Sequence, residues 1–339
     1  MERTAILLTA IVSMGVTGIL GFWLIPWLKK LKYGQTINEI GPRWHKGKEG
    51  TPTIGGLMFI IGSIVGLAVG YLSLILEAPQ FLGVQFKTEN VRLFAGIGAA
   101  LGFGIIGFID DYMKVVHTRN LGLTAKGKIV MQIFVAAAYL FVMDRFGAST
   151  TSFVFPFFGE IEFGLWYYVL SMLAIIFIVN AVNLTDGIDG LATSVTFVVS
   201  AGFIVISTML GYVGTGLLST AIAGGCVGFI IWNFYPAKVF MGDTGSMFLG
   251  GAVIAMAYGV SFPILLAIAG IVYVCEAGSV VIQVCYFKAT HGKRLFKMTP
   301  IHHHFEMCGW SEIKIVSVFS SVALVGVLIA IASAICTQV

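Results

Sequence analysis

Charged residues are scarce in this chain, at 11% of its 339 residues, against about 25% in soluble domains. Hydrophobic residues make up 58%, above the roughly 45–50% of ordinary domains. A protein with so little charge cannot cover its surface with water-binding groups, which excludes a water-soluble enzyme or binding module. The composition therefore predicts an integral membrane protein.

Cysteine is also scarce, with five residues in all and no CxxC spacing. Four of the five lie in apolar runs, where cysteine packs as a small hydrophobic side chain, so we expect neither a disulfide framework nor a cysteine metal site. The five are Cys226, Cys275, Cys285, Cys308 and Cys336.

Ten apolar runs approach the length of about 20 residues that a membrane-spanning helix needs. They cover residues 4–28, 54–76, 92–109, 128–146, 165–183, 190–209, 213–232, 246–260, 262–287 and 313–336. The runs predict an all-α integral membrane protein with about ten transmembrane helices. We expect one transmembrane catalytic domain over residues 1–339, with active-site loops at 29–53, 110–128, 184–190, 233–245 and 288–312.

The basic residues predict the orientation. Of the 20 Lys and Arg residues, only Arg3, Lys87, Arg92 and Arg145 fall in one set of loops. Short cytoplasmic loops carry the excess of Lys and Arg, so the other set is expected to face the cytoplasm and both termini to be external. On the external side, the alternation in "TSFVFPFFGEIEFGLWYY" (151–168) predicts a small β-hairpin at the membrane interface.

Five of the six aspartates lie at predicted cytoplasmic helix ends. They are Asp110, Asp111, Asp186, Asp189 and Asp243. Acids at a membrane boundary are costly unless they are paired, hydrated or metal-bound, and they often mark a functional site. Helix capping is the ordinary alternative for any one of them, but it does not account for five on one face.

Two motifs carry four of these acids. In "GFIDDYMK" (107–114), a continuing helix brings Lys114 one turn beyond Asp110, and such a group can bind a divalent cation or grip a phosphate. In "NAVNLTDGIDGLATS" (180–194), Gly187 and Gly190 interrupt the helix signal, which predicts a broken segment with free backbone N–H groups at the start of the sixth helix.

The fifth acid lies in "NFYPAKVFMGDTGSMFLGG" (233–251). Pro236 ends one helix, and we expect Asp243 or Thr244 to cap the next. Phe240 offers an aromatic face on which a nucleobase can stack.

Half of the six histidines are consecutive, in "MTPIHHHFEMCGW" (298–310). We expect Pro300 to keep this segment extended, so that alternate histidines point to opposite sides. A zinc site is the weaker interpretation because adjacent histidines cannot easily bind one ion. Imidazoles beside Lys293, Arg294 and Lys297 can donate to phosphate oxygens or move protons. A basic face around a carboxylate cluster suits a phosphate-bearing substrate handled with Mg²⁺.

With these motifs, the sequence resembles the phospho-N-acetylmuramoyl-pentapeptide-transferase family, a branch of the polyprenyl-phosphate N-acetylhexosamine-1-phosphate transferases. The resemblance covers essentially the whole chain. It rests on "TPTIGG" (51–56), "DDYMK" (110–114), "NAVNLTDGIDGLA" (180–192), "FMGDTGS" (240–246) and "PIHHHFE" (300–306). The last of these favours the muramoyl-pentapeptide branch over its relatives.

The resemblance implies a Mg²⁺-dependent enzyme of the bacterial inner (plasma) membrane, with its active site facing the cytoplasm. It would transfer phospho-MurNAc-pentapeptide from UDP-MurNAc-pentapeptide to undecaprenyl phosphate, giving lipid I and UMP. The family is often dimeric, so a homodimer among membrane lipids is expected, and no nucleic-acid polymer is expected as a partner.

The resemblance also implies a role for each matching residue. The implied catalytic residues are Asp110, Asp111, Asp243, His302, His303 and His304, with Asp243 as the Mg²⁺ ligand. The implied substrate-binding residues are Lys48, Lys114, Lys126, Asn183, Asp186, Gly187, Asp189, Asn233, Phe240 and Gln283. Whether an aspartate acts as a base or forms a phospho-enzyme stays open.

Two other functions remain open at this point. A sister enzyme would transfer GlcNAc-1-phosphate to the same lipid, and loop 288–311 is the feature that discriminates it. A secondary transporter also has broken helices and polar residues within the membrane. A transporter, however, needs its charges near the midplane, where this sequence offers mainly Glu276.

Overall fold

The computed structural model describes residues 2–30, 50–116 and 122–338. These ranges contain twelve α-helices, two short 3-10 turns and one two-stranded sheet. The helices are α1 (Glu2–Lys30), α2 (Gly56–Glu77), α3 (Lys87–Val116), α4 (Ala125–Phe146), α5 (Leu165–Thr185), α6 (Leu191–Leu210), α7 (Val213–Asn233), α8 (Gly242–Gly259), α9 (Ile264–Ala269), α10 (Ile271–Ala289), α11 (Ile301–Glu306) and α12 (Glu312–Gln338). Lys48, which the resemblance implicates, lies outside the described residues.

The described residues confirm a helical membrane protein. Nine helices, α1 to α7 with α10 and α12, are long and apolar enough to cross a bilayer. The predicted eighth run corresponds to α8, which has only 18 residues and starts with the polar stretch Gly-Asp-Thr-Gly-Ser. Every residue of α8 from Thr244 to Gly259 is buried. Because other helices enclose α8, it does not need a long lipid-facing surface.

The predicted helix over 262–287 is wrong in its first part. The chain forms the six-residue helix α9, breaks at Gly270 and continues as α10. Hydropathy alone does not register this break because both pieces are apolar. The predicted external position of the two termini stays a prediction.

The predicted hairpin is confirmed. Strands β1 (Ser152–Phe155) and β2 (Gly159–Glu162) pair antiparallel, with Phe155 opposite Gly159. Phe153 is buried, and its ring centroid lies 4.8 Å from that of Tyr167 in α5. The hairpin therefore packs on the start of α5.

Helices α3 and α8 pack closely against each other. A Cβ atom on Gly107 of α3 would overlap the carbonyl of Asp243, and a Cβ atom on Gly251 of α8 would lie 2.7 Å from the Cα atom of Ala100. Small residues let helix backbones approach closely in membranes, where dispersion packing drives helix association. This approach sets the acidic end of α3 directly against the first turn of α8.

Several helix ends meet at one end of the bundle. The last turns of α3 and α5 and the first turns of α4 and α8 are joined there through the side chain of Asp243. The segment before α2 is bonded to the segment before α8, since Gly55 N donates to Phe240 O at 2.8 Å. All five predicted active-site loops contribute described residues to this end.

Candidate active site

Three carboxylates form the centre of the site. Asp110 and Asp111 lie near the end of α3, and Asp243 lies in the first turn of α8. One oxygen from each can be chosen so that all three lie within 4.8 Å of one another. Asp110 and Asp111 are almost fully buried, at 3% and 4% exposure. Three of the five acids that the sequence assigned to one face are thus brought together.

Lys114 lies among these carboxylates. Its Nζ atom is 2.5 Å from Asp110 Oδ2, 2.9 Å from Asp243 Oδ2 and 3.9 Å from Asp111 Oδ1. Since α3 runs unbroken to Val116, Lys114 follows Asp110 by one helical turn, as predicted. The ammonium group offsets the repulsion among the three acids.

A second ammonium group comes from Lys128 in α4, which the sequence did not single out. Lys128 Nζ lies 3.0 Å from Asp243 Oδ2. Lys126, the lysine implied by the resemblance, is exposed. Residues two positions apart in a helix point about 200° apart, so only one of the two lysines can face the carboxylates. Helix α4 starts at Ala125, three residues before the start of the predicted run, so both lysines lie in its first turn.

Asp111 binds the start of α8. Its Oδ1 accepts from Asp243 N at 3.2 Å, and its Oδ2 accepts from Thr244 N at 2.9 Å and from Thr244 Oγ1 at 2.7 Å. The expectation that Asp243 or Thr244 caps α8 is wrong: both residues lie within its first turn, and Asp111 of α3 accepts their N–H groups. An anion at a helix N-terminus is stabilised by those N–H groups and by the helix dipole.

Glycine is required just before this turn. Gly242 has a φ of +71°, and a Cβ atom there would lie 2.5 Å from Asp111 Oδ2. A side chain would meet both a strained backbone and a carboxylate. Gly242 thereby lets α8 begin in contact with Asp111.

Asp110 and Asp243 each have a further partner. Asp110 Oδ1 accepts from Leu123 N at 2.8 Å. Asp243 Oδ1 accepts from Asn183 Nδ2 at 2.8 Å, and the same amide nitrogen lies 2.7 Å from Ser246 Oγ. Asn183 thus links α5 to the metal-binding candidate Asp243.

The predicted break between α5 and α6 is confirmed, with α5 ending at Thr185 and α6 starting at Leu191. Gly190 has a φ of +78°. Asp186 is partly buried, and burial together with the negative charges of Asp243, Asp111 and Asp189 raises its pKa well above the ordinary value. Asp186 therefore belongs to the electrostatic environment of the carboxylate cluster.

Asp189 is held by hydrogen bonds on both sides. Its Oδ2 accepts from Ala237 N at 2.9 Å, and its own N–H donates to Glu312 Oε2 at 3.0 Å. Glu312, at the start of α12, is a residue that sequence reasoning missed. These bonds join the Asp186–Asp189 loop to the segment before α8 and to α12.

Three other predicted residues lie in loop-supporting positions. Phe240 is half-buried, and its N–H donates to Pro52 O at 2.9 Å. Asn233 is buried and bonds to Thr193 Oγ1 at 2.9 Å and to Val239 O at 3.0 Å. Gln283 Oε1 accepts from Leu295 N and Phe296 N, at 3.0 and 2.9 Å. The amides of Asn233 and Gln283 therefore hold loops, and their predicted substrate contacts stay predictions.

The histidine run is helical, so the expected extended segment is wrong. Pro300 precedes α11, which covers Ile301–Glu306. His302 is buried and its Nδ1 lies 3.0 Å from Glu276 Oε2. His303 Nδ1 lies 2.5 Å from Glu306 Oε2, and His304 Nδ1 accepts from Lys297 N at 3.1 Å. The rings of His302 and His303 are in contact, with centroids 4.1 Å apart, but each of the three imidazoles has a different hydrogen-bonding partner.

The carboxylate cluster has the chemistry of a Mg²⁺ site. Mg²⁺ prefers oxygen ligands and uses one or two carboxylates together with substrate phosphates. Asp110, Asp111 and Asp243 offer such oxygens close together, and Lys114 and Lys128 supply positive charge beside them. Carboxylates and ammonium groups around one point can bind a divalent cation and a phosphate together.

The chain is similar to a known family and to several named proteins. The model of glycosyl transferase family 4 matches residues 93–261, a range that includes the three aspartates. The chain is 44% identical over 329 residues to the phospho-N-acetylmuramoyl-pentapeptide-transferase of Clostridium perfringens strain 13, covering 97% of this chain and 98% of the relative. A protein with the same name from Halalkalibacterium halodurans is 42% identical over 331 residues, covering 98% of each chain. A third, from Clostridioides difficile strain 630, is 41% identical over 324 residues, covering 95% of each chain.

Proposed function

This chain belongs to the phospho-N-acetylmuramoyl-pentapeptide-transferase family, and we propose that it transfers phospho-MurNAc-pentapeptide from UDP-MurNAc-pentapeptide to undecaprenyl phosphate. The products are lipid I and UMP. The observation that carries the proposal is the cluster of Asp110, Asp111 and Asp243 with two lysines, in a chain 44% identical to a named relative over nearly its full length.

The reaction joins two anions. An oxygen of the lipid phosphate forms a bond to the β-phosphorus of the nucleotide-sugar, and the bond from that phosphorus to the UMP oxygen breaks. Lys114 and Lys128, both bonded to Asp243 Oδ2, are suited to turn toward the phosphate oxygens and offset their charge. Mg²⁺, held by Asp243 with Asp110 or Asp111, would supply further charge neutralisation when bound.

The lipid phosphate needs little help from a base. A phosphate monoester has a second pKa of about 6 and is already mostly ionised at neutral pH. Where a proton must be removed, Asp110 is the proposed acceptor, and its Oδ2 is paired with the ammonium of Lys114. Asp111 instead accepts three hydrogen bonds from Asp243 and Thr244, which commits both of its oxygens to α8.

The nucleotide-sugar is proposed to bind beside Asp243, between the loop that follows α5 and the segment that precedes α8. Asp186 and Asp189 lie on the loop after α5, and Asn183 reaches Asp243 from the last turns of that helix. Phe240 lies in the segment before α8 and is half-buried, which suits stacking on uracil. The family resemblance supports these roles, and the proposed roles of Gly187, Asn233, Gln283, His303, His304 and Lys48 rest on it as well.

The membrane position of the site follows from its second substrate. A polyprenyl tail needs an apolar environment, and the phosphate at its head must reach the carboxylate cluster. We propose that the protein lies in the bacterial inner membrane as a homodimer, with the carboxylate end facing the cytoplasm. Cys308 is exposed beside His304, so a membrane-impermeant maleimide should label it in inside-out vesicles and not in spheroplasts, once the other four cysteines are replaced by serine. Light scattering of the purified protein would measure the oligomeric state.

The decisive experiment measures UMP release by detergent-purified protein with undecaprenyl phosphate and Mg²⁺. UDP-MurNAc-pentapeptide and UDP-GlcNAc are offered in parallel, with Asp243→Ala as the control. The proposal expects lipid-dependent turnover of the muramoyl substrate alone, abolished by EDTA and by Asp243→Ala. Turnover of UDP-GlcNAc instead would assign the chain to the sister activity. No turnover of either by folded protein would contradict a transferase and return the transporter to consideration.

A further inference from the structure

Glu276 and His302 form a buried pair outside the carboxylate cluster. Glu276 lies in α10 and His302 in α11, both side chains are 0% exposed, and Glu276 Oε2 lies 3.0 Å from His302 Nδ1. A carboxylate buried within a membrane protein is costly and is retained where it has a partner and a task. The proposed reaction assigns no task to Glu276.

The other ring nitrogen of His302 faces the aspartate loop. A Cβ atom on Gly187 would overlap His302 Nε2 and would lie 2.6 Å from His302 Cε1. Within the described part of the chain, this Nε2 and Glu276 Oε1 have no hydrogen-bond partner. The Nε2–Cε1 edge of the imidazole therefore lies against the backbone of Gly187, which is between Asp186 and Asp189.

Position 187 requires glycine because the His302 ring leaves no room for a side chain, and not because of its backbone conformation. Gly187 does not have the positive φ that its neighbour Gly190 shows at +78°. Alanine would therefore suit the backbone at 187 but not the volume that His302 occupies. The residue that selects glycine here is His302, and Glu276 is the residue that fixes His302.

The loop is held on its other sides by Glu312, which accepts from Asp189 N at 3.0 Å, and by Ala237 N, which donates to Asp189 Oδ2 at 2.9 Å. Removing the imidazole would leave these hydrogen bonds of Asp189 in place but would take away the side chain that Gly187 packs against. The half that carries Asp186 would then lose the surface on which it rests.

We propose that Glu276 and His302 are positioning residues, which act through Gly187 to fix the Asp186–Asp189 loop relative to Asp243. His302 then differs in role from His303 and His304, although the three are consecutive. The inference rests on the proposed function for its kinetic consequences but not for the steric contact itself. Because the Asp186–Asp189 loop is proposed to bind the nucleotide-sugar, a displaced loop should weaken the binding of that substrate.

The first test measures the steric contact between His302 and Gly187 through protein stability, without using enzyme activity. Gly187→Ala should lower the thermal unfolding temperature, and His302→Ala in the same chain should restore part of the loss because it removes the overlapping ring. The single and double variants are all made in a chain that also carries Glu276→Gln, so that no variant leaves a buried unpaired carboxylate. Thermal unfolding needs no substrate, so its result stands whether or not the wild type releases UMP. If the double variant is no more stable than Gly187→Ala, the proposed contact is wrong.

The second test uses steady-state kinetics. Glu276→Gln keeps the shape of the side chain but weakens its hold on His302, and the expected result is a rise of about tenfold or more in KM for the UDP-sugar. The KM for undecaprenyl phosphate should stay unchanged. Glu276→Asp, which restores the charge, should recover part of the loss. Equal changes in both KM values, or a fall in kcat alone, would overturn the positioning role. An inactive wild type would instead refute the proposed function.

Discussion

Lys114 Nζ lies 2.9 Å from Asp243 Oδ2, although the two residues are 129 positions apart in the chain. The same ammonium group contacts Asp110 Oδ2 at 2.5 Å. It thus lies among the oxygens that are proposed to bind a divalent cation. Lysine and cation therefore compete for the same carboxylates, and cation binding requires Lys114 to turn away.

This competition predicts the behaviour of Lys114→Met. Removing a unit charge about 4 Å from the cation position should strengthen Mg²⁺ binding by about tenfold or more, since a Coulomb energy at that distance exceeds ~1 kcal/mol even when well screened. Turnover should fall because the phosphates lose a positive partner. The Mg²⁺ concentration at half-maximal rise of the unfolding temperature measures the affinity. Lys114→Arg keeps the charge and is the control, and unchanged affinity in Lys114→Met would contradict the competition.

Lys126 and Lys128 provide a matched pair for a second prediction. Lys128→Ala should lower kcat/KM by about 10²-fold, as expected for the loss of one group that stabilises developing charge. Lys126→Ala should change it by less than about twofold, since exposed charges contribute little. UMP release measures both. A large loss in Lys126→Ala with little effect in Lys128→Ala would support the residue implied by the sequence resemblance instead.

The two lysines also show why the fold was easier to predict than the site. Run length and hydropathy predicted nine of the helices because each must span the bilayer, while α8 is enclosed and starts with polar residues. The choice between Lys126 and Lys128 depends on helix rotation. Residues two positions apart point about 200° apart on a helix, and no local pattern shows which of the two lysines faces Asp243. Lys128 was therefore not identified from the sequence, and the substrate contact of Lys126 stays a prediction.

The prediction of an extended histidine segment was wrong for another reason. Proline restricts the residue before it, here Thr299, and does not keep the following residues extended. Residues 301–306 are therefore free to form α11, in which His303 and Glu306 are paired three positions apart. The buried partner of His302 is Glu276 in another helix, a contact that no local pattern in the sequence contains.

Asp186 predicts a pH dependence of stability. Its pKa in the folded protein is raised by burial and by Asp243, Asp111 and Asp189, so the unfolded chain loses this proton first as pH rises. Below about pH 4 both states are protonated and the group costs nothing. The cost grows as pH rises through the unfolded value and is complete above the folded value. Asp186→Asn should therefore raise the unfolding temperature in EDTA, increasingly from pH 4 to pH 8.

Asp189→Asn is the matched comparison. The Asp189 carboxylate accepts a hydrogen bond from Ala237 N, and weakening a bond to a charged group costs about 1.5–3 kcal/mol. This variant should lose stability at neutral pH, opposite in sign to Asp186→Asn. A difference between Asp186→Asn and the wild type that stays constant from pH 4 to pH 8 would contradict the raised pKa.

Arg92 predicts a change in stability that is separate from activity. It is 7% exposed in α3, and its guanidinium donates to Gly147 O at 2.8 Å, Gly259 O at 3.1 Å and Ala148 O at 3.2 Å. These carbonyls belong to the last residue of α8 and to the two residues that follow α4, far along α3 from Asp110. The planar fork of donors on arginine reaches three separated acceptors, and the compact ammonium of lysine does not reproduce this spacing.

Arg92→Met should therefore destabilise the protein by several kcal/mol, at about 1–3 kcal/mol for each buried carbonyl left without a partner. Arg92→Lys should recover only part of this loss. Turnover per folded molecule should stay near the wild-type value in both variants, since the carboxylate cluster lies at the other end of α3. Unfolding temperature and UMP release, measured on the same preparations, separate the two effects. Lys87→Met changes an exposed cation in the same helix, and it should leave the unfolding temperature and UMP release unchanged. A loss of stability in Lys87→Met equal to that in Arg92→Met would contradict the prediction. It would show that charge in this part of α3, rather than the three hydrogen bonds of Arg92, stabilises the fold.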